Sequence, residues 1–362
     1  MKKNQKIVVI GGGPAGAVIA MQLAKYNMEI IVLEANAVPI QKPGECLPPN
    51  INPLLKKLEL DHLLSKHKNS YSNQSAWGTD ELIDDDFISG VHGNGTHINR
   101  KLFETDLANE AQKVGVIWHT KHILRKCKKI DTKWHLEIDY LNDKKIIIAD
   151  FIVDASGRKS IIGRCLNLKR KTLDKLVGIS AILKGNSVLN ASTLVETCAN
   201  GWWYTASLPS NELIVSFMTD SNLVLKLKAN KHEGFNSLLQ KTNHVKKRIT
   251  ECIGKDRNIN VSLNTHAANS SRLEKITGEN WLAVGDAACT YDPLSSYGIT
   301  AAIGTAYYGS RAIIDYLQGK KEAFLTYEYL MDKMYNTYLP MITFSYSQEK
   351  RWTDNDFWRR RH

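Results

Sequence analysis

Gly11-Gly12-Gly13-Pro14-Ala15-Gly16 follows directly on the β-branched run Lys6 to Ile10, and Glu34 closes a second apolar run, Ile30 to Leu33. These residue types at this spacing suit the binding of a dinucleotide. Gly11 lets the chain turn sharply, Gly13 lets the backbone approach a pyrophosphate, and Gly16 lets a helix pack close to the preceding strand. The helix N-terminus, where Pro14 and Ala15 stand, offers N–H groups and a partial positive charge to phosphates. Glu34 can accept hydrogen bonds from an adenosine ribose. Val18, Ile19 and Leu23 supply the apolar face of the helix.

Two further glycine-containing loops follow apolar runs. Trp281 to Val284 leads into Gly285-Asp286, and the stretch continues through Asp292-Pro293-Leu294-Ser295-Ser296 to Gly298 and Ile299. A carboxylate at a strand end and a proline-serine-glycine turn opening a helix are what a flavin needs. Asp286 can hold a ribityl or phosphate-linked hydroxyl, and the helix N-terminus at Gly298 and Ile299 can face the pyrimidine edge of the ring, where negative charge accumulates on reduction. The third junction, Asp154-Ala155-Ser156-Gly157-Arg158, closes the run Lys145 to Val153. Pro43-Gly44-Glu45-Cys46-Leu47-Pro48-Pro49 is too rich in proline and glycine to be helix or central strand. Its Glu45 is a candidate proton acceptor beside the ring, or a structural acceptor for neighbouring loop N–H groups. His97 and His266 are alternative polar groups. Trp202, Trp203 and Tyr204 are candidates for a substrate wall, or for ordinary sheet core, since aromatic residues favour strands in any case.

The elements that must position these residues read as follows. Ile51 to Leu64 has helical spacing, Trp77 to His97 is irregular and partly strand-like, and Arg100 to Val114 is an amphipathic helix with Leu102, Phe103, Leu107 and Ala111 on one face. Strands are expected at Ile117 to Cys127, Lys133 to Tyr140 and Lys145 to Val153. Leu176 to Leu263 contains several alternating segments, notably Trp203 to Leu208 and Leu213 to Met218, which predict a second sheet. A long helix rich in small residues begins near Gly298, and the pattern stays helical to about Ser347. The reading is an α/β chain with interleaved parts: a nucleotide-binding domain from 1–75, 98–175 and 264–347, a smaller β-sheet substrate domain from 76–97 and 176–263, and a basic aromatic tail, 348–362.

The 362 residues carry a formal net charge of +11, but the basic residues are spread along the chain without interleaved aromatics, which argues against nucleic acid. A phosphate-bearing ligand, an acidic substrate or an acidic protein partner would be served as well. No apolar run approaches the length of a bilayer span, and the glycine fingerprint stands where a secretory h-region would; the expectation is a cytoplasmic protein with no membrane association. The six scattered cysteines include no CxxC pair and no histidine at metal-ligand spacing, so no metal site is expected. Cys46 and Cys289 read as small buried groups. Trp352, Phe357 and Trp358 precede Arg359-Arg360-Arg361. These rings predict that the tail packs on the protein body or on a partner, since a disordered tail is poor in such residues.

The motifs and their order resemble the flavoprotein hydroxylase superfamily, the glutathione-reductase-type FAD fold of para-hydroxybenzoate hydroxylase, over nearly the whole chain. The resemblance implies that Gly11, Gly13, Gly16 and Glu34 bind the ADP half of FAD, that Gly285 and Asp286 form the second motif, that Arg100 lies near the FAD phosphates, and that Asp154 and Gly157 belong to the motif serving FAD and NAD(P)H. Pro43-Gly44-Glu45, Gly201-Trp202-Trp203-Tyr204 and Asp292-Pro293-Leu294-Ser295-Ser296 with Gly298 are similar to the tryptophan-halogenase-like branch. More narrowly, they resemble the flavoproteins encoded beside quinone-cofactor oxidases, which are implied to hydroxylate a tryptophan of the oxidase precursor during cysteine tryptophylquinone formation. A flavin halogenase needs a lysine after the Gly-Glu loop; Asn52 stands there, with Lys56 and Lys57 one turn on.

The activity so implied is FAD-dependent hydroxylation of an electron-rich ring through a C4a-hydroperoxyflavin, with molecular oxygen and with NADH or NADPH as reductant. Alternatives are a halogenase or a geranylgeranyl-reductase-type enzyme acting on a small molecule, or a flavoprotein that binds a client protein.

Overall fold

The apolar run Lys6–Ile10 forms the middle of a six-stranded sheet in the computed structural model, which describes residues 5–141, 143–185, 191–254 and 259–362. The strand order is Thr277–Gly278, Trp281–Ala283, Phe151–Asp154, Lys6–Ile10, Glu29–Leu33, Ile117–His119. All neighbours are parallel except the short Thr277–Gly278 edge. Parallel strands buried on both faces must be apolar throughout, which is why these segments do not alternate. The helices Pro14–Ala24, Arg100–Lys113 and Gly298–Leu317 pack beside this sheet. An antiparallel sheet of Ile123–Ile130, Lys133–Tyr140 and Asp143–Ala149 places Leu124, Leu136 and Ile138 in the same core.

Two expected strands are each divided between sheets. Lys145 to Val153 breaks at Asp150, which exchanges bonds with the first strand: Lys6 N donates to its carboxylate and Asp150 N to the Lys6 carbonyl, both at 2.8 Å. Asp143–Ala149 and Phe151–Asp154 therefore lie in different sheets. Ile117 to Cys127 divides around Lys121, whose φ is +58°. The expected helix from Ile51 to Leu64 is also interrupted: Asn52–Lys57 ends before Glu59, at φ +61°, and a 3-10 turn follows at Asp61–Lys66.

The second sheet has seven strands in the order Asn264–Ala267, Leu176–Lys184, Glu212–Asp220, Gly201–Leu208, Thr193–Cys198, Ser72–Ala76, Ile83–Asp86. It thus takes in Ser72–Ala76 and Asn264–Ala267, a few residues outside the limits read from the sequence. Its far face packs on the helices His232–Leu239 and His244–Ile253, through Phe235, Val245 and Ile249. The stretch lies within a region whose sequence is β-rich overall, and only Val245, Ile249 and Cys252 mark the second helix by their spacing. Buried Glu196 fixes the second helix by accepting from Asn243 N and Val245 N, each at 2.7 Å. A carboxylate at a helix N-terminus also meets the positive end of the helix dipole.

Ala323–Ser347 packs along Gly298–Leu317 and carries the chain to the tail, which folds onto the near face of the second sheet. Phe357 and Trp358 are completely buried among Leu176, Trp202 and Met218. Arg360 and Arg361 each reach buried Asp220 at 2.7 Å, so these cations anchor the tail. Among the described residues no helix is long and apolar enough to cross a membrane. Phe357→Ala should cost about 3–5 kcal/mol of stability, as expected for emptying an aromatic site in a core; chemical denaturation of wild type and variant measures it.

Candidate functional site

The glycine fingerprint builds one end of a cleft of about 630 Å³. Gly11 has φ +104°, and a Cβ there would lie 2.4 Å from the Ala155 carbonyl oxygen. Gly16 is closer still: a Cβ would lie 1.9 Å from the Gly11 carbonyl oxygen. Gly13 differs, because nothing lies within 4 Å of its Cβ position. Packing therefore requires Gly11 and Gly16, while the space at Gly13 opens into the cleft. The helix that starts at Pro14 has no side-chain cap, leaving its N-terminal dipole to face that space. Glu34 lines the same end; its carboxylate accepts from Gly12 N and from Asn36 N, both at 2.8 Å.

The middle junction divides its labour. Asp154 is fully buried and turned from the cleft, accepting from Ser156 Oγ at 2.5 Å, Ile162 N at 2.8 Å and Gly163 N at 3.2 Å. It holds the turn, and Gly157, at φ +66°, brings that turn to the cleft. In the last motif Gly285, at φ +57°, packs against Ala15, and the next residue, Asp286, lines the cleft. Burial raises the Asp286 carboxyl pKa, opposed by Arg158 and Arg100; Arg158 Nε lies 3.5 Å from its Oδ2. Pro293, Gly298 and Ile299 complete this side. The turn at Pro293 is tied down by Asp292, which accepts from Leu294 N at 2.9 Å and from the Tyr346 hydroxyl at 2.8 Å. Burial pushes the Asp292 carboxyl up to about 6.

Arg100 crosses from its helix to the proline-rich loop. Nη1 donates to the Pro43 carbonyl at 2.8 Å and Nη2 to Glu104, which Lys42 also reaches at 2.8 Å. Its Nε is buried without a partner. An unmatched guanidinium donor in a cleft is expensive unless an anion meets it.

Glu45, beyond this clamp, is 2% exposed and accepts from Gly44 N at 2.8 Å. Tyr204 stands beside it, and burial raises the Glu45 pKa against the opposing effects of Tyr204 and Arg100. Cys46, next in the chain, is pushed up to about 12 by burial and by Glu45. Trp202 and Tyr204 line the cleft; Trp203 does not. Side chains alternate across a strand, so Trp203 points to the opposite face and packs on Phe217 and Phe235 at ring-centroid distances of 4.9 Å. His266 lines the cleft, with its basicity lowered by burial, whereas His97 is buried outside the lining. Gly16, Asp154 and Gly285 lie behind the lining as its support. Residue-type reasoning passed over Arg158, Arg170 and Tyr346. Arg170 donates to the Asp286 carbonyl at 3.1 Å, and Tyr346 reaches Asp292 from the C-terminal helix. Arg170 and Tyr346 arrive from segments without a motif, whereas Arg158 ends the third glycine junction.

Three strand ends, an uncapped helix N-terminus and an unmatched arginine nitrogen meet in one cleft, an arrangement suited to a dinucleotide and its phosphates. The chain belongs to the FAD binding domain family, which matches residues 4–333. It is 29% identical to LodB of Marinomonas mediterranea, described as an FAD-dependent oxidoreductase, over 98% of this chain and 96% of that protein. Among solved structures, the myxobacterial chondrochloren halogenase CndH superposes with a TM-score of 0.88 at 20% identity, covering 99% of this chain and 86% of that one. QhpG, a peptidyl tryptophan dihydroxylase essential for tryptophylquinone cofactor biogenesis, superposes with a TM-score of 0.76 at 21% identity, covering 99% and 78%. These two likenesses establish the fold.

The glycines separate binding from folding. Gly13→Leu should weaken FAD retention about tenfold or more, roughly 1.4 kcal/mol, while leaving the apoprotein's stability nearly unchanged. Gly16→Leu should lose both. Flavin absorbance after gel filtration and thermal unfolding of the apoprotein read the two effects separately.

Proposed function

We propose that this chain is an FAD-dependent monooxygenase that hydroxylates a tryptophan side chain of a partner oxidase precursor during quinone cofactor biogenesis. The observation that carries the reading is the buried Glu45–Tyr204 pair, which shares one cleft with all three glycine loops. QhpG, of like fold, is a peptidyl tryptophan dihydroxylase, and the same modification chemistry fits a cleft with an aromatic wall.

The FAD would be held by Gly11 to Ala15, Glu34, Arg100, Gly157, Asp286, Pro293, Gly298 and Ile299. It supplies the means to activate molecular oxygen, with NADH or NADPH as the proposed reductant. The protein must orient the ring to be oxidised, exclude water and remove a proton. Trp202, 1% exposed, backs the apolar side of the cleft against which an indole would lie. When a hydroxylated ring regains aromaticity it loses a proton from carbon, and the Glu45 carboxylate takes it; the Gly44 amide, which donates to that carboxylate, fixes its orientation. Trp203, in the core of the opposite face, has no part in binding.

Halogenation is the second reading, because halogenases share the fold. The residue at the halogenase lysine's position argues against it. Asn52 Nδ2 donates to the His92 and Asn94 carbonyls at 2.9 Å, and the Lys57 amine lies over the Tyr307 ring, 4.8 Å from its centroid; neither residue lines the cleft.

Incubation of the loaded protein with a quinone-oxidase precursor, NAD(P)H and air should add oxygen to a precursor tryptophan, located by peptide mass spectrometry. Oxygen uptake with no mass gain would redirect the reading to a small-molecule substrate; bromine or chlorine incorporation from added halide would establish the halogenase. Since burial raises the Glu45 pKa, its carboxylate form is lost as pH falls through that raised value, and turnover should fall with it. Glu45→Gln should lower turnover by about 10²-fold or more, the usual size of a lost general base, and remove this acidic limb from the pH–rate profile.

A further inference from the structure

Behind the aromatic wall stands a set of oxidisable rings that neither flavin binding nor substrate binding calls for. Trp202 lines the cleft, and its ring centroid lies 6.3 Å from that of Trp77; Trp77 lies 5.7 Å from Trp358, and Trp358 6.3 Å from Trp352. A parallel branch runs through Tyr346. Trp202 Nε1 donates to the Tyr346 hydroxyl at 3.0 Å, and the Tyr346 ring lies 6.1 Å from Trp358. Both branches converge on Trp358, which is fully buried, while Trp352 is half-buried and lines a separate pocket with Asp80 and Thr197. The ends of the path are thus the cleft and the outer surface.

The hydrogen bonds suit electron loss as well as packing. Tyr346 donates to Asp292 Oδ2 at 2.8 Å, so a carboxylate stands ready for the phenolic proton. Trp77 Nε1 donates to the Ser345 carbonyl and Trp358 Nε1 to the Cys198 carbonyl, at 2.8 and 2.9 Å. Carbonyls stabilise an indole cation without taking its proton, which keeps the interior members able to be reduced again. A core serving packing alone would be met by aliphatic side chains or phenylalanine, with no polar N–H to satisfy.

We propose that Trp202, Trp77, Trp358 and Trp352, with Tyr346 beside them, form a path that carries a one-electron oxidation from the flavin cleft to the protein surface. The proposal rests on flavin occupying the cleft, and is independent of which ring the enzyme oxidises. The oxidant is a one-electron oxidant produced at the flavin: the photoexcited ring in the laboratory, or an oxygen-derived radical when oxygen is reduced with no acceptor in place. It gains one electron from Trp202. Trp77 or Tyr346 refills Trp202, Trp358 refills that ring, and Trp352 refills Trp358. The Trp352 indole cation loses its N–H proton to water, and a surface reductant such as ascorbate or a thiol returns one electron while water returns the proton. The path would spare Glu45, Tyr204 and Cys46 from oxidation during abortive turnover.

The test is a blue-light flash on the flavin-loaded protein, followed by transient absorption and electron paramagnetic resonance. Wild type should give a neutral indole radical at Trp352 that ascorbate removes. Trp358→Phe, which keeps an aromatic ring in place but gives up the bond to the Cys198 carbonyl, should lose that long-lived radical while the protein stays folded and the bound-flavin spectrum holds; Trp352→Phe should lose it too. The absence of an indole radical in loaded wild type, or an unchanged radical in Trp358→Phe, would overturn the proposal. Failure to hold flavin shows beforehand in the visible spectrum and would overturn the placement of flavin beside Trp202, and the path with it.

Discussion

The contact that everything else depends on is the near-touching of backbone at Gly11 and Gly16. A Cβ on Gly16 would overlap the Gly11 carbonyl, so the first helix can lie against its strand only where side chains are absent. That approach sets the helix N-terminus at the mouth of the sheet, and the same helix then packs on Gly298–Leu317, whose own N-terminus opens the far side of the cleft. Gly285 against Ala15 repeats the device at the last strand end. The site is therefore a consequence of how tightly three strand-to-turn junctions can be packed. Its charged groups are then oriented by backbone that has no other place to go.

Much of this was legible in the sequence because glycine requirements, strand apolarity and turn prolines act locally. Lys6–Ile10, Glu29–Leu33, Lys133–Tyr140 and Trp281–Ala283 fall where apolar runs predict strands, and the helix at Gly298–Leu317 starts where its turn predicts. The misread elements are those that a single long-range contact decides. Asp150 interrupts the apolar run, but it ends one strand and starts another only because the Lys6 backbone is there to bond it, and the run itself carries no mark of that partner. The helices behind the second sheet were submerged in a β-rich stretch, since the carboxylate that caps one of them, Glu196, comes from a distant strand.

At the site, the same limit separates lining residues from supporting ones. Asp154 has the residue type of a ligand contact, yet its lone pairs are taken by the Ile162 and Gly163 amides and the Ser156 hydroxyl. Composition alone cannot distinguish an acid that binds a cofactor from one that holds the loop which does. Trp202, Trp203 and Tyr204 could have been divided more finely. Strand alternation requires that the middle residue face away from its neighbours, and only the assignment of faces needed the fold: the two helices and Phe217 claim Trp203, leaving Trp202 and Tyr204 to the cleft.

That division of faces also explains why a short tail bears on the chemistry. The sheet surface that carries Trp202 and Tyr204 is too apolar to stand in water along its whole length, and beyond the cleft it is covered by Phe357 and Trp358. Buried Asp220, on the adjacent strand, would be costly alone; Arg360 and Arg361 complete it and in doing so fix the tail. Tyr346, at the end of the preceding helix, then bridges Trp202 and Asp292, joining the substrate wall to the turn that opens the last helix. The far end of the chain thereby sets the position of an aromatic wall more than one hundred residues away in sequence.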